Sequence, residues 1–531
     1  MKRSLLSAVL VFLSIVAAQA QDETDALRYS RLTSGGDART QAIGGAMGSL
    51  GGDVSAMSVN PAGIGLFKTN ELTITPGFRS LNTDATYYDN QASDSKSSLF
   101  LQQIGLIFAS NPRRKNNDSR WKNVTFGLGV NRLANFNRSL YYTGTIKGDK
   151  SNFSSYSDNY WLQLQGETDL DGAQDNYPFG PSQAIRTYLI DPVLDDNNNP
   201  TGDWAALPSD IISNGHPLEQ SNSISSKGGI NEFSLSVAGN YDDKLFIGAS
   251  LNIPSINYDR SQTFRETNTQ DKNSVLNYFD VDNSLHTNGV GINGKLGLIY
   301  SPQPALRLGA AFHTPTVYTL HDTYSTRVTT STTDQGLLTS STQDITDGYP
   351  GEYDYNLTTP WHALASVSYL FNDGVDAPVH GFITADYEYV NYAAAKYRFN
   401  RDDGGSGLGG ATAKDQADAL NRSIKDMYKG ASNLRLGGEV KFNVMAVRAG
   451  VAWYGSPYQD SNVKGDQLLY SGGLGYRNGG FFADLTYVYN REKDEDQPYY
   501  VTANDAGIPS PQPAALTSGG SNIILTIGFK L

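Results

Sequence analysis

The sequence predicts an all-β protein, a transmembrane antiparallel β-barrel of about fourteen strands, and three observations carry that prediction. Segments about ten residues long alternate apolar and polar residues with a period of two, the length and pattern of a tilted membrane-spanning strand. The one long apolar run lies at the extreme N-terminus, so no internal segment approaches the ~20 apolar residues that a spanning helix needs. The chain, with 54 glycines, 32 tyrosines and no cysteine, ends on one more alternating strand, NIILTIGFKL.

Taken in order, residues 1–20 read as a secretory signal peptide. Lys2 and Arg3 precede an apolar stretch from Leu5 to Ala18, and Ala18-Gln19-Ala20 supplies a cleavage site after Ala20. Without a cysteine behind it, the exported chain carries neither lipid anchor nor disulfide. The formal charge of −13 becomes more negative once Lys2 and Arg3 are removed, which disfavours nucleic acid as a partner. Residues 21–68 follow, and within them GGDVSAMSVNPAGIGL, residues 51–66, is small, apolar and punctuated by glycine and Asn60-Pro61. Such a stretch reads as a compact irregular piece that must pack against something. Read alone, Asn60-Pro61-Ala62-Gly63 is a tight turn leading into a first strand at Thr69 to Ser80.

The remainder, residues 69–531, is the barrel. Val124, Phe126, Leu128 and Val130 share one face against Thr125, Gly127, Gly129 and Asn131. The same rule sets Leu306, Leu308, Ala310 and Phe312 against Arg307, Gly309, Ala311 and His313, and Leu434 and Leu436 against Arg435 and Gly437. Glycine and charged residues on the second face suit a wide lumen, and the aromatic residues near strand ends suit interfacial girdles. Asp242-Asp243 and Ser301-Pro302-Gln303-Pro304 make short turns, expected at the periplasmic end. Long polar segments at 147–228, 315–358, 393–431 and 456–466 are expected as extracellular loops. Alternation counts roughly fourteen to seventeen strands, the ambiguity lying in 255–285.

Chemistry-bearing patterns are few. Gly405 to Gly410 satisfies a dinucleotide fingerprint by letter but follows no buried strand, so a flexible loop before a helical pattern is the better reading. Asp195-Asp196-Asn197-Asn198-Asn199 offers oxygen ligands, yet Pro200 stands where a calcium loop needs glycine. No catalytic motif is present, so no enzyme activity, cofactor or metal is expected. His313 falls on the inner face as a hydrogen-bonding residue. By parity Lys295, Arg307, Arg435 and Arg448 also point inward, with Asp386, Glu388, Glu439 and Asp484. Mutual pairing is one reading of these charges; the other is that a free cation, Arg435 or Arg448 first, receives the carboxylate of an amphipathic ligand.

Gly44-Gly45-Ala46-Met47, Gly52-Asp53, Ser55-Ala56 and Asn60-Pro61-Ala62-Gly63 together resemble the N-terminal signature of the FadL/TodX family of outer-membrane transporters for hydrophobic compounds. LRLGGEVKFNVMAVRAGVAWYGSP (434–457) and YSGGLGYRNGGFFADLTYVY (470–489) resemble its later strand pairs. The resemblance implies a barrel plugged by an N-terminal hatch of short helices, with Gly52, Asp53, Asn60, Pro61, Ala62 and Gly63 in the hatch and Asn60 satisfying unpaired backbone. It implies an outer-membrane protein that takes up hydrophobic compounds and releases them sideways into lipid through a gap at a kinked strand. A monomer is expected, and long-chain fatty acids, aromatic hydrocarbons or haem would each fit an apolar pocket with a basic end. Alternation does not place that gap, because bulges decide it. Two other functions stay open: a protein-secretion partner of the PorV type, and a general porin, which needs an open channel.

Overall fold

The computed structural model describes residues 23–33, 35–110, 119–147, 153–371, 379–399, 413–461, 463–501 and 507–531. The expected signal peptide and the Gly405–Gly410 segment lie outside these residues. The wall is a closed antiparallel barrel of fourteen strands. They are β1 (Glu71–Tyr87), β2 (Asn90–Ser110), β3 (Trp121–Asn135, continued as Arg138–Ile146), β4 (Leu218–Tyr241), β5 (Leu245–Asn268) and β6 (Leu276–Gln303). Next come β7 (Leu306–His313, continued as Val317–Thr332), β8 (Gly351–Thr358, continued as His362–Phe371), β9 (Val379–Asn391, continued as Lys396–Phe399) and β10 (Gly430–Phe442). The last four are β11 (Met445–Tyr454), β12 (Gln467–Asn478), β13 (Phe481–Asp496) and β14 (Ala514–Lys530). β14 closes on β1 from Glu71↔Lys530 to Thr86↔Ala515, leaving no free edge at the seam.

The pleat sorts residues as the alternation requires. Leu434, Leu436, Leu296, Ile383 and Leu485 stand exposed on the outer face, while Arg435, Lys295 and Asp484 are buried inside. In water, such a contiguous apolar belt would be costly; against lipid it is the favourable side. Trp121, Tyr300, Tyr369, Phe442, Tyr476, Phe481 and Phe529 are exposed near one mouth, and Tyr387, Trp453, Tyr470, Tyr487 and Tyr489 are exposed farther along the same strands. These two aromatic rings mark the boundaries of the belt. Turns at the first mouth are tight. Asp242 (φ 59) and Asp243 (φ 54) both adopt the left-handed conformation that a two-residue hairpin demands, which Asp tolerates better than bulkier residues.

Toward the other mouth the strands run long: β4 and β5 have 24 residues each and β6 has 28. Segment 255–285 is therefore the far part of β5 and β6, not an extra span. Three of the expected loops are also more regular than polarity suggested. Residues 218–228 belong to β4, most of 315–358 continues β7 and β8 as hairpins, and 393–431 holds the end of β9 and a helix, Ala413–Met427. Tertiary pairing overrode composition here, because a polar strand extended above lipid still completes its ladder. The remaining insertion folds into helices Ser157–Leu164, Leu170–Asp175, Pro181–Arg186 and Leu207–Ser213 with the hairpin Ile190–Leu194/Pro200–Ala206, sharing a core around Leu164, Leu189, Trp204 and Phe279. In the hairpin turn, Asp195 Oδ1 accepts from the Asn197 and Asn199 N–H groups, both at 2.8 Å, so this carboxylate shapes the turn.

One buried carboxylate makes this cap sensitive to pH. Glu266, on β5 well beyond Ile253, accepts from Ser155 Oγ (2.6 Å), the Tyr156 N–H (3.0 Å) and Gln220 Nε2 (2.8 Å). Burial outweighs these bonds and, aided by Asp158, pushes its pKa up to about 7; the phenols of Tyr87 and Tyr499 face it. The folded state holds the proton more tightly than the unfolded chain, so this stabilisation is complete below pH 4.5 and fades as pH rises to about 7. Amide protection of Ser157–Leu164 should fall between about pH 5 and 8, by at most about 3 kcal/mol. Glu266→Gln should flatten that slope, and an equal slope in the variant would assign it elsewhere.

Candidate functional site

The N-terminal segment lies inside the barrel as three short helices, α1 (Glu23–Ser30), α2 (Ala38–Ala42) and α3 (Ala56–Val59), followed by a 3-10 turn at Pro61–Leu66. With so little regular structure, its backbone needs side-chain partners. Asp37 caps α2 by accepting from the Thr40 N–H (2.8 Å), and Asp53 accepts from the Ser55 N–H (2.8 Å). Asn60 does most. Its N–H closes α3 onto the Ala56 carbonyl, and its Oδ1 accepts from the Ala62 N–H (3.1 Å) to start the 3-10 turn, where Pro61 has no N–H to leave unpaired. Its Nδ2 faces three carbonyls: Gly48 (2.6 Å) in the plug, and Leu298 (3.2 Å) and Ala310 (3.3 Å) in the wall. The corner is therefore both folded and moored by one side chain.

Glycines in the wall make room for these contacts. A Cβ on Gly297 would stand 1.9 Å from Asn60 Oδ1, on Gly248 2.4 Å from the Pro61 carbonyl carbon, and on Gly309 2.3 Å from the Gly48 carbonyl oxygen. Elsewhere Gly105, Gly127 and Gly129 receive Val54 and Met57, and Gly437 and Gly450 receive Ile43 and Gly44. The sequence reading attributed these inward glycines to a roomy lumen. They mark instead where the plug presses directly on the wall. Within the plug, Gly52 (φ +65) needs the left-handed conformation, a Cβ on Gly63 would stand 2.8 Å from Ala56 Cβ, and Ala62 is fully buried.

The inward charges are paired. Arg448, with no exposed side-chain surface, donates to Glu439 (2.5 Å) and Asp484 (2.6 Å), and Arg39 of the plug reaches Glu439 (3.4 Å) and Asp53 (3.8 Å). Arg307 donates to the Leu50 carbonyl of the plug (2.6 Å). Lys295 contacts Glu232 (2.5 Å); Arg435 pairs with Glu388, which also accepts from Asn433 (2.9 Å) and faces His362 (3.2 Å). Asp386 accepts from the Gly48 N–H (3.0 Å) and Ser366 Oγ (2.5 Å), and His313 Nε2 donates to the Val59 carbonyl (2.9 Å). In a poorly hydrated interior a lone charge is costly, so each has found a counterpart.

Of the four cations singled out from sequence, Lys295 and Arg435 line a cavity enclosed between the wall and two parts of the plug, whereas Arg448 and Arg307 stand away from it, bound to the wall and plug. Within the plug it lies between Tyr29 and Ser30 of α1, which pack toward the long loops near Tyr258 and Leu320, and Ser58 and Val59 of α3; its walls include His313, Pro360 and His362, where β7 and β8 are interrupted at Pro315 and Pro360. Proline lacks the N–H that would continue a ladder. Asn131 and Leu133 of β3 complete it and border a gap in the wall.

That gap lies between β2 and β3. Their ladder runs from Ser110↔Val124 to Gln103↔Asn131 and stops; beyond it, among the described residues, β2 pairs only with β1, and the upper part of β3 only with β4. Side chains bridge the rim, with Gln102 Nε2 donating to the Arg132 carbonyl (2.9 Å), and the backbone of Gly35 presses in from the plug. Leu99, 82 % exposed, and Leu101 flank the opening on the outer face, which places it within the apolar belt. Sequence reasoning missed this site, yet a signal was present. The outward residues shift from odd (Leu99, Leu101) to even (Leu106, Phe108), with Gln102 and Gln103 both buried. Such a slip of phase marks a bulge, here opposite Thr75/Pro76.

No family model matches the sequence, and no curated protein matches it significantly. Solved structures do match in fold. A FadL homologue of Pseudomonas aeruginosa aligns with a TM-score of 0.52 at 13% identity over 94% of this chain and 99% of that one. The toluene transporter TodX of P. putida aligns with a TM-score of 0.50 at 12% identity over 94% and 99%. The chain thus has the fold of FadL-type barrels, plug included.

Proposed function

We propose that the protein is an outer-membrane channel that takes up hydrophobic small molecules by passive diffusion gated by the plug, with lateral exit into the bilayer between β2 and β3. The observation that carries this reading is the ladder broken at the height of the apolar belt, beside a cavity lined by the plug and the wall. An apolar molecule leaving there enters lipid without crossing water. The apolar cargo named for the toluene transporter whose fold it shares supports the same class, and the sequence resemblance adds long-chain fatty acids to it. A general porin is disfavoured, since the plug's seats fill the lumen with buried contacts.

The test exploits the absence of native cysteine. Gln102→Cys with Arg132→Cys occupies what would be the next pair of the ladder, so oxidation would staple the gap. Uptake of a radiolabelled hydrophobic probe by cells carrying the pair should fall about tenfold on oxidation, an estimate for loss of the main route, and return with reductant. Equal uptake in both states, with no apolar molecule co-purifying, would shift the reading to a secretion partner.

A further inference from the structure

The geometry points to a neutral, oxygen-bearing amphipathic cargo, such as a long-chain alcohol, ketone or ester, and not to a carboxylate or a bare hydrocarbon. This deepens the uptake reading and rests on it. The cavity is lined by two cations and two carboxylates, and they are already spent on one another: Lys295 with Glu232, Arg435 with Glu388. Each carboxylate is further engaged, Glu232 by Asn293 Nδ2 (3.4 Å) and Ser58 Oγ (3.5 Å), Glu388 by Asn433 and His362. The charges of Lys295 and Arg435 are thus matched by those of Glu232 and Glu388. An incoming carboxylate would have to share Lys295 or Arg435 with a glutamate and would bring two like charges together in a dry site.

A bare hydrocarbon is disfavoured for the opposite reason. Ser30 of the plug, only 2% exposed, lines the cavity and its Oγ has no hydrogen-bond partner, and Ser55, Ser58, Asn293, Thr314 and Thr316 add polar lining. Tyr29 lines it too, its hydroxyl turned to Thr287 of the wall. Covering the Ser30 hydroxyl with methylenes leaves it unsatisfied, whereas a hydroxyl or carbonyl oxygen pairs with it. Leu32, Val59, Leu133, Leu364 and Pro360 supply apolar wall for the rest of the molecule. Ser30 ends α1, so the polar end of the cargo would bind the plug itself.

The test is equilibrium dialysis of the full chain in nanodiscs, with empty nanodiscs as blank, against radiolabelled lauryl alcohol, laurate and n-dodecane. Lauryl alcohol is expected to bind about tenfold more tightly than either of the others, the span of one or two hydrogen bonds. Ser30→Ala should lower alcohol affinity severalfold and leave dodecane unchanged. Glu232→Gln, which frees Lys295, should raise laurate affinity at least about tenfold, a gain that misfolding cannot mimic. Laurate or dodecane binding best to the wild type would overturn the inference and leave the uptake reading standing. Binding of none of the three would overturn both.

Discussion

Gly297→Val is expected to unseat the plug. The wall at this point is a paired strand with neighbours on both sides, Gly297 facing Gly248 on β5 and Ala311 on β7, so it cannot retreat. The new side chain would occupy the space of the Asn60 carboxamide, whose Oδ1 lies 1.9 Å from the position of its Cβ, and of the Ala62 N–H at 2.9 Å. Asn60 would lose the Leu298 and Ala310 carbonyls together, so overpacking and lost hydrogen bonds add to about 2–4 kcal/mol against the seated plug. In planar bilayers the variant should conduct ions in long openings, and cells should become sensitive to large hydrophilic antibiotics. Gly294→Val is the control, because the nearest atoms to its Cβ are 3.8 Å away or more. If Gly297→Val conducts no more than Gly294→Val, the Asn60 corner is not what holds the plug.

Arg448→Met is expected to cost more than any other single substitution in the wall. Its guanidinium has no exposed side-chain surface and holds two carboxylates, Glu439 and Asp484, the latter equally buried. Methionine fills much of the volume but leaves both carboxylates inside with only Arg39 and Arg477, each at 3.4 Å, as remaining partners. Removing one partner of a buried ionic cluster typically destabilises by about 3–5 kcal/mol. The midpoint of heat-induced mobility change on gels should drop accordingly. Adding Asp484→Asn to Arg448→Met should recover part of the loss, since Arg39 and Arg477 then balance Glu439 and Asp53. Failure of that double variant to recover would assign the loss to packing.

The barrel was legible because its periodicity is local: from Leu434, Arg435 and Leu436 alone one can tell lipid face from lumen, and the structure places them so. The pairing of the lumen charges was legible only as one of two readings, since Arg435 and Glu388 are 47 positions apart and nothing in either segment names the other. The seats of the plug were written in the sequence without their meaning. Gly248, Gly297 and Gly309 look like ordinary inward glycines until Asn60, more than 180 residues earlier, is laid against them. Ser30 escaped notice altogether: α1 carries no turn or cap signal that distinguishes it, and its importance comes from the absence of a partner for its hydroxyl.

The seam between β14 and β1 also orders how the molecule comes into being. The Ala38 N–H of α2 donates to Thr526 Oγ1, and that hydroxyl also meets Thr75 Oγ1 across the seam, at 2.8 Å each. One end of the plug's berth is thus built from the last strand of the barrel. Contacts of such sequence separation form late, because the long loop must close before they return any free energy. A nascent barrel without its last strand has no complete berth, so docking of the first segment records that the final one has arrived. Refolding followed from both ends should show the α2 region gaining protection in the same kinetic phase as β14, and no earlier.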